Sequence, residues 1–323
     1  MGPSWTLPTT QMMRQSAGEG EERSELAGPA KPRQSPGGLK SRDTLSNRSP
    51  LQQSSASHLL VSDNMANLVS ILDHLQVGPP ALPIYSVGAS LRNTRNDEYH
   101  ADDIGDIALW QSFNIHHIMQ THGQLLNAVR CHDWAMSTSP VEVVTSETGL
   151  RHRFTTYLHS RIKRAVRAAF QHLESTHTLP PAYCVLSFTE GETAETERGF
   201  TPDLCFYETD VPLKTSPNRC PGEVKPSYKW SSALRFADDD VEYRQALSQL
   251  NCYMKQHSTR YGFMLTDLEL VAVRRTTTPG HLELSQSIPW TEQGTVAQPR
   301  LTVALGIWYL GMLAADDNGY YLD

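Results

Sequence analysis

The chain has 323 residues, 39% of them hydrophobic, and a formal net charge of -7. Residues 1–60 hold seven Lys/Arg against five Asp/Glu, so the remainder carries -9. A body this acidic argues against coating a polyanion through bulk charge and leaves room only for a local basic patch.

Five cysteines, an odd number without CxxC spacing, argue against a disulfide framework or a thiolate zinc site and fit a reducing compartment. No charged start followed by an apolar run marks a secretory leader. The longest apolar run, Leu301 to Ala315, is too short for a bilayer span and reads as a buried helix. The expected setting is intracellular, in nucleus or cytoplasm, neither secreted nor held in a membrane. The length allows one large domain or two small ones.

Residues 1–61 are rich in Ser, Pro, Gly, Gln and Arg and lack apolar periodicity, which predicts a disordered tail. Ser62 or Asp63 is placed to cap a helix carrying Met65, Leu68, Ile71, Leu72 and Leu75, closed by Gly78-Pro79-Pro80. Residues 81–100 read as loop, and a second helical region is expected from about Ile104 to Met136. Together these make residues 62–144 a mostly helical extension.

From Thr145 to about His172 a helical wheel gathers Phe154, Leu158, Ile162, Ala165, Ala169 and Leu173 on one side. Arg153, Arg164 and Arg167 gather opposite, with Arg161 at the boundary. Strands are expected over residues 183–188, 203–207 and 222–228. A helix capped by Asp239 or Asp240 should follow, running to about His257. Residues 261–265 and 268–273 read as a strand pair, Leu282 to Leu284 as a short edge strand, and Leu301 onward as the closing helix. This order predicts an α/β fold, a mixed central sheet flanked by helices.

Chemistry concentrates on two of these strands. Asp203 opens one. Glu223 and Lys225 lie on the next, two residues apart, and so share a face. Of the seven lysines, only Lys225 has an acid two residues before it. Carboxylate oxygens suit a hard divalent ion, so Asp203 and Glu223 are candidate Mg²⁺ ligands, with the Val224 carbonyl as a third and Mn²⁺ as a substitute ion. Lys225 is placed to hold or deprotonate a water. The competing reading is a solvated strand edge with a surface ion pair.

The stretch Pro202-Asp203 followed by Glu223-Val224-Lys225 resembles the PD-(D/E)XK nuclease superfamily. Gln249-Leu250-Asn251-Cys252-Tyr253 is similar to the Gln-Leu-x-x-Tyr pattern of its RecB-like branch. Gly222 to Trp230, with Tyr243-Arg-Gln-Ala and Arg260-Tyr-Gly-Phe, looks like a group of nuclease-like proteins found mainly in fungi. The resemblance covers roughly residues 145–315. It implies a restriction-endonuclease-like core over residues 145–323 and metal-dependent cleavage of nucleic-acid phosphodiesters. It also implies a glutamine and a tyrosine, here Gln249 and Tyr253, near metal and substrate, and an acid on the first helix, for which Glu147 is the best match and Glu142 the second.

The basic ridge of Arg153, Arg164 and Arg167 could meet a phosphate backbone, DNA or RNA, or could be a solvated face or a docking face within the protein. Tyr228 and Trp230 could stack on a base or fill the core. The long loop before Glu223 could face substrate or be idle surface. Two rivals stand beside the nuclease reading: a non-catalytic binding module for nucleic acid or protein, and a metal hydrolase acting on other substrates.

Overall fold

A computed structural model describes residues 68–137 and 139–323. The predicted tail and the Ser62 or Asp63 cap lie outside them. The chain runs β1 (Leu68–Ser70), α1 (Ile71–Leu75), β2 (Ile107–Leu109), α2 (Ile115–Ala128), β3 (Arg130–His132), α3 (Glu147–Phe154) and α4 (Ser160–Ser175). A single π-turn, Thr155–His159, joins α3 to α4. Then follow β4 (Leu186–Glu190), β5 (Leu204–Glu208), β6 (Gly222–Val224), α5 (Val241–Gln256), β7 (Tyr261–Leu265) and β8 (Glu269–Arg275). The chain closes with β9 (Leu282–Leu284), β10 (Ile288–Pro289), α6 (Val303–Ala315) and a last turn, α7 (Asp317–Tyr320).

These elements form an α/β fold around an eight-stranded mixed sheet in the order β2-β9-β8-β7-β6-β5-β4, with β10 added beside β8. The pairs β6–β7 and β2–β9 are parallel; the other pairs in the sheet are antiparallel. The central strands are apolar on both faces because both are covered. In β8, Leu270 and Ala272 enter the core that α1, α4 and α6 close, while Val271 and Val273 enter a second core under α5. In β7, Phe263 and Leu265 point to the first and Met264 to the second.

β6 fits between its neighbours only because it begins with glycine. Gly222 lies opposite Phe263, and a Cβ there would stand 2.1 Å from the Phe263 ring.

Several expectations are corrected. Over its described residues, the extension expected at 62–144 is not mostly helical. Leu68–Ser70 is a strand paired with β3, and Ser70 instead caps the short helix α1 by accepting from Asp73 N–H. The region from Ile104 to Met136 holds one helix, capped by Asn114, between two strands. β2 joins the main sheet in parallel with β9, so Leu282–Leu284 is an inner strand rather than an edge. Pairing across distant sequence overrides local helical spacing here.

The strand expected over 183–188 begins three residues later, because Tyr183 bridges Asp316 and Cys184 N–H donates to Ala315. The strand of Glu223 stops at Val224, since Pro226 follows and Ser227 turns aside to bond Asp267. α5 starts at Val241, whose N–H meets Asp239; Asp240 makes no side-chain cap and pairs with Arg244.

Two buried arginines tie remote segments together. Arg161 donates to the His74 and Trp134 carbonyls and to Asp133, at 2.6, 2.7 and 2.8 Å. Arg219 holds Glu208 at 2.7 Å, Asp317 at 2.6 Å and the Ala314 carbonyl at 2.8 Å. The loop before β6 is thus pinned against the C-terminal helices and is neither idle surface nor a substrate flap over its second half.

Burial also holds His257 down to about 4, below its ordinary value of 6.5. A histidine depressed in the folded state weakens the fold as pH falls from the unfolded value toward the folded one, because the unfolded chain binds the proton more readily. At about 1.4 kcal/mol per unit, full protonation of His257 costs roughly 3 kcal/mol. His257→Asn, which keeps an acceptor for Asn218 N–H, should therefore gain stability relative to the parent between pH 6.5 and 4.5. Urea titrations of both proteins at pH 7.5 and 4.5 check this; a pH-independent difference contradicts it.

Candidate metal centre

Glu147 is the first residue of α3, fixed by Ser146, whose hydroxyl accepts from Gly149 N–H at 3.1 Å. One turn on, Arg151 donates to Asp203 Oδ1 at 2.7 Å. The other oxygen of Asp203 accepts from Val224 N–H at 2.9 Å, so this residue also joins the start of β5 to β6. Glu223 lies within β6. Lys225 follows it, and its N–H continues the ladder to the Leu265 carbonyl. The shared face expected for Glu223 and Lys225 is realised: Lys225 Nζ sits 2.7 Å from Glu223 Oε1.

The three acids converge. Carboxylate oxygens of Glu147, Asp203 and Glu223 lie within 4.8 Å of one another, as a set able to hold a metal ion. Lys225 Nζ is also 3.8 Å from Glu147, and Lys229 meets the other Glu147 oxygen at 3.3 Å. From α5, Gln249 Nε2 donates to Glu223 Oε1 at 2.9 Å and to the Tyr253 hydroxyl at 2.8 Å. The buried Gln249 Oε1 has no partner among the described residues.

The electrostatics follow from burial. Glu223 is 3% exposed. Its carboxyl is pushed up to about 8, first by desolvation and then by Asp203, with Lys225 opposing. Asp203 is also raised by burial, with Arg151 pulling the other way. Burial works to lower Lys225, yet Glu223 and Glu147 outweigh it and hold the ammonium above its ordinary value. Of the two roles open to Lys225, the metal-free protein favours the donor: an ammonium orients a water or an anionic oxygen and does not take a proton.

Other expected contacts are placed elsewhere. Tyr253 is buried against Gln249, with its hydroxyl raised by desolvation and by Glu223, so it belongs inside the cluster and not on a nucleic-acid surface. Trp230 is core, stacked on Tyr243 with ring centroids 5.7 Å apart. The basic ridge does not act as one: Arg153 pairs with Glu142, and Arg164 lies over the Trp134 ring at 4.3 Å. Arg167 is exposed.

Three residues were missed from sequence. Arg151 carries a readable signal, since a position four after Glu147 on a helix shares its face. Lys229 and Tyr99 carry none. Tyr99 comes from the loop over residues 81–100 and is buried close enough for Glu223 to raise it, after desolvation.

A cleft of about 330 Å³ opens beside Asp203, lined also by Arg151, Glu190, Gly191 and Pro202. Gly191 touches this wall directly: a Cβ would stand 1.8 Å from the Pro202 carbonyl oxygen. No protein-family model, curated protein or solved structure matches the chain.

Gly191→Ala should therefore displace the Pro202–Asp203 segment, costing about 1–3 kcal/mol as overpacking does and weakening any ion held by Asp203. Thermal melting with and without Mn²⁺ tests both parts. A variant that melts like the parent and gains the same Mn²⁺ stabilisation contradicts the assignment.

Proposed function

We propose that this centre binds Mg²⁺ and hydrolyses phosphodiester bonds of nucleic acid, as a PD-(D/E)XK nuclease on a restriction-endonuclease-like core. The observation that carries the reading is the meeting of Glu147, Asp203 and Glu223 within 4.8 Å around a lysine 2.7 Å from Glu223. An all-carboxylate donor set is what a hard cation prefers. The partnerless Gln249 oxygen beside Glu223 fits a site that expects a further polar guest.

A bound Mg²⁺ would polarise the phosphoryl group and lower the pKa of a water beside it. The protein's own groups do the rest. Asp203, Glu223 and Glu147 would hold the ion, while Gln249 keeps Glu223 aimed by holding the same oxygen that Lys225 holds. The Lys225 ammonium orients the attacking water and opposes the charge that develops on phosphorus-bound oxygen. One P–O bond forms from water as the bond to the leaving oxygen breaks; the water gives up its proton to solvent and the leaving oxygen takes one from solvent.

A second reading draws on the ion pairs Arg151–Asp203 and Lys225–Glu223, which neutralise the acids without any metal. It makes the domain a binding module that does not turn over. Cleavage assays with Mg²⁺ on mixed DNA and RNA separate the two. Asp203→Ala and Lys225→Ala should each abolish cleavage, with circular dichroism unchanged. Cleavage at the parental rate by both variants removes the nuclease assignment.

Metal affinity should also follow pH. Glu223, raised to about 8, must lose its proton to bind an ion, so protons compete below that pH. Mn²⁺ affinity should rise close to tenfold per unit up to about pH 8, then level off. Glu223→Gln should bind weakly and lose this dependence. Isothermal calorimetry at four or five pH values reads both; a flat parental profile contradicts the role of Glu223.

A further inference from the structure

Far from the acidic centre, the surface between α4 and β3 has the opposite character. A cleft of about 450 Å³ is lined by Arg130, His132, Trp134, Arg164, Arg167 and Gln171, together with small or apolar neighbours and no Asp or Glu. Among the described residues, Arg130, Arg164 and Arg167 make no ion pair. Arg130 and His132 stand two apart on β3 and so point the same way. Arg164 and Arg167 lie one turn apart on α4.

Trp134 is the unusual member. It is 67% exposed, whereas Trp110, Trp230, Trp290 and Trp308 are all buried. Exposure alone says little, since Phe236 is 85% exposed; what sets Trp134 apart is how its segment is held and the cations around it. It is not loose. Its carbonyl accepts from buried Arg161 at 2.7 Å, and the preceding Asp133 is clamped by Arg161 at 2.8 Å and by His74 at 2.7 Å. Arg164 lies 4.3 Å from the ring centroid and braces one face. The sequence thus spends a buried Arg–His–Asp network on fixing one solvent-facing indole among cations, in a chain whose net charge is -7.

We infer that this cleft grips single-stranded nucleic acid, with a base stacked on Trp134 and phosphates on Arg130, Arg164 and Arg167. Aromatic stacking and a cationic track are the two ingredients of such binding, and the stack needs an unpaired base. An acidic peptide would satisfy the arginines but leave the fixed indole unused. The cleft is separate from the acidic centre. None of its lining residues belongs to the acidic centre, and Glu147 and Arg164 lie 17 residues apart along α3, the π-turn and α4, at most about 25 Å at a helical rise of 1.5 Å per residue.

The inference rests on the nuclease reading for its biological sense, since it names the strand state of the substrate. Its test does not rest on that reading, because it is made without divalent ions. In EDTA, the full chain is titrated with a fluorescein-labelled oligothymidylate of about 15 nucleotides, by anisotropy and by tryptophan fluorescence. The parent should bind and show quenching. Trp134→Ala should weaken binding about tenfold, and Trp134→Phe should keep most of the affinity while losing the quench. Arg130→Gln with Arg167→Gln should weaken binding and flatten its salt dependence.

Parental affinity in Trp134→Ala overturns the inference, as does absence of binding by the parent. Equal competition by polyglutamate also overturns it and identifies an acidic peptide site. A parent that binds oligothymidylate through Trp134 but never cleaves with Mg²⁺ leaves this inference standing and removes only the nuclease reading.

Discussion

The burial of Glu223 is the constraint to which its surroundings answer. A carboxylate cut off from water is held as an anion only by donors that replace water, and two other acids stand close by. Lys225 and Gln249 both turn their donors onto the same Glu223 oxygen. Asp203 needs its own donors and finds them in Arg151 and the Val224 backbone. The acids and their partners come from four places: Glu147 and Arg151 from α3, Asp203 from the start of β5, Glu223, Val224 and Lys225 from β6 and its end, and Gln249 from α5. The centre therefore exists only when helix, sheet and second helix are packed, and removing one member leaves the others buried and unmatched.

Much of this was legible in the sequence because strand and helix periods are rigid. Two residues along a strand return to one face, which put Glu223 beside Lys225. Gln249 and Tyr253 came instead from the resemblance to the Gln-Leu-x-x-Tyr pattern, whose spacing of four keeps the two on one helix face. Pairing between distant segments has no local period, so the strands Leu68–Ser70, Ile107–Leu109 and Arg130–His132 were invisible within stretches of helical spacing. The basic ridge failed for a geometric reason. A wheel drawn from Thr145 onward assumes a constant turn per residue, and the π-turn at Thr155–His159 inserts one extra. That rotates everything after it by about 100° relative to Arg153. Arg164 and Arg167 still share a face, and Arg153 belongs to another.

The buried arginines show how irregular segments become precise. Arg161 and Arg219 each bind carbonyls and carboxylates from segments far apart in sequence, using donors in a planar fork that lysine lacks. Arg161 lies at the boundary of the apolar stripe, where a wheel cannot say whether a side chain turns in or out. It turns in, and by doing so fixes the strap that carries Trp134. Arg219 does the same for the loop before β6, which lets a three-residue strand sit where Glu223 requires it.

The pairing of Arg151 with Asp203 has a further consequence. Fully ionised, Glu147, Asp203 and Glu223 carry three negative charges, and Arg151, Lys225 and Lys229 within their reach carry three positive ones. Above about pH 8, where Glu223 is ionised, the cluster is electrically closed before any ion arrives. A divalent cation entering it leaves an excess of two positive charges, which an arriving phosphodiester can balance, most directly by taking over Arg151 from Asp203. On the proposed nuclease reading, cation and polyanion would assist each other, and by thermodynamic reciprocity each would strengthen the other by the same factor. A centre wired in this way would be coincidence-gated, weak toward either guest alone and strong toward both together.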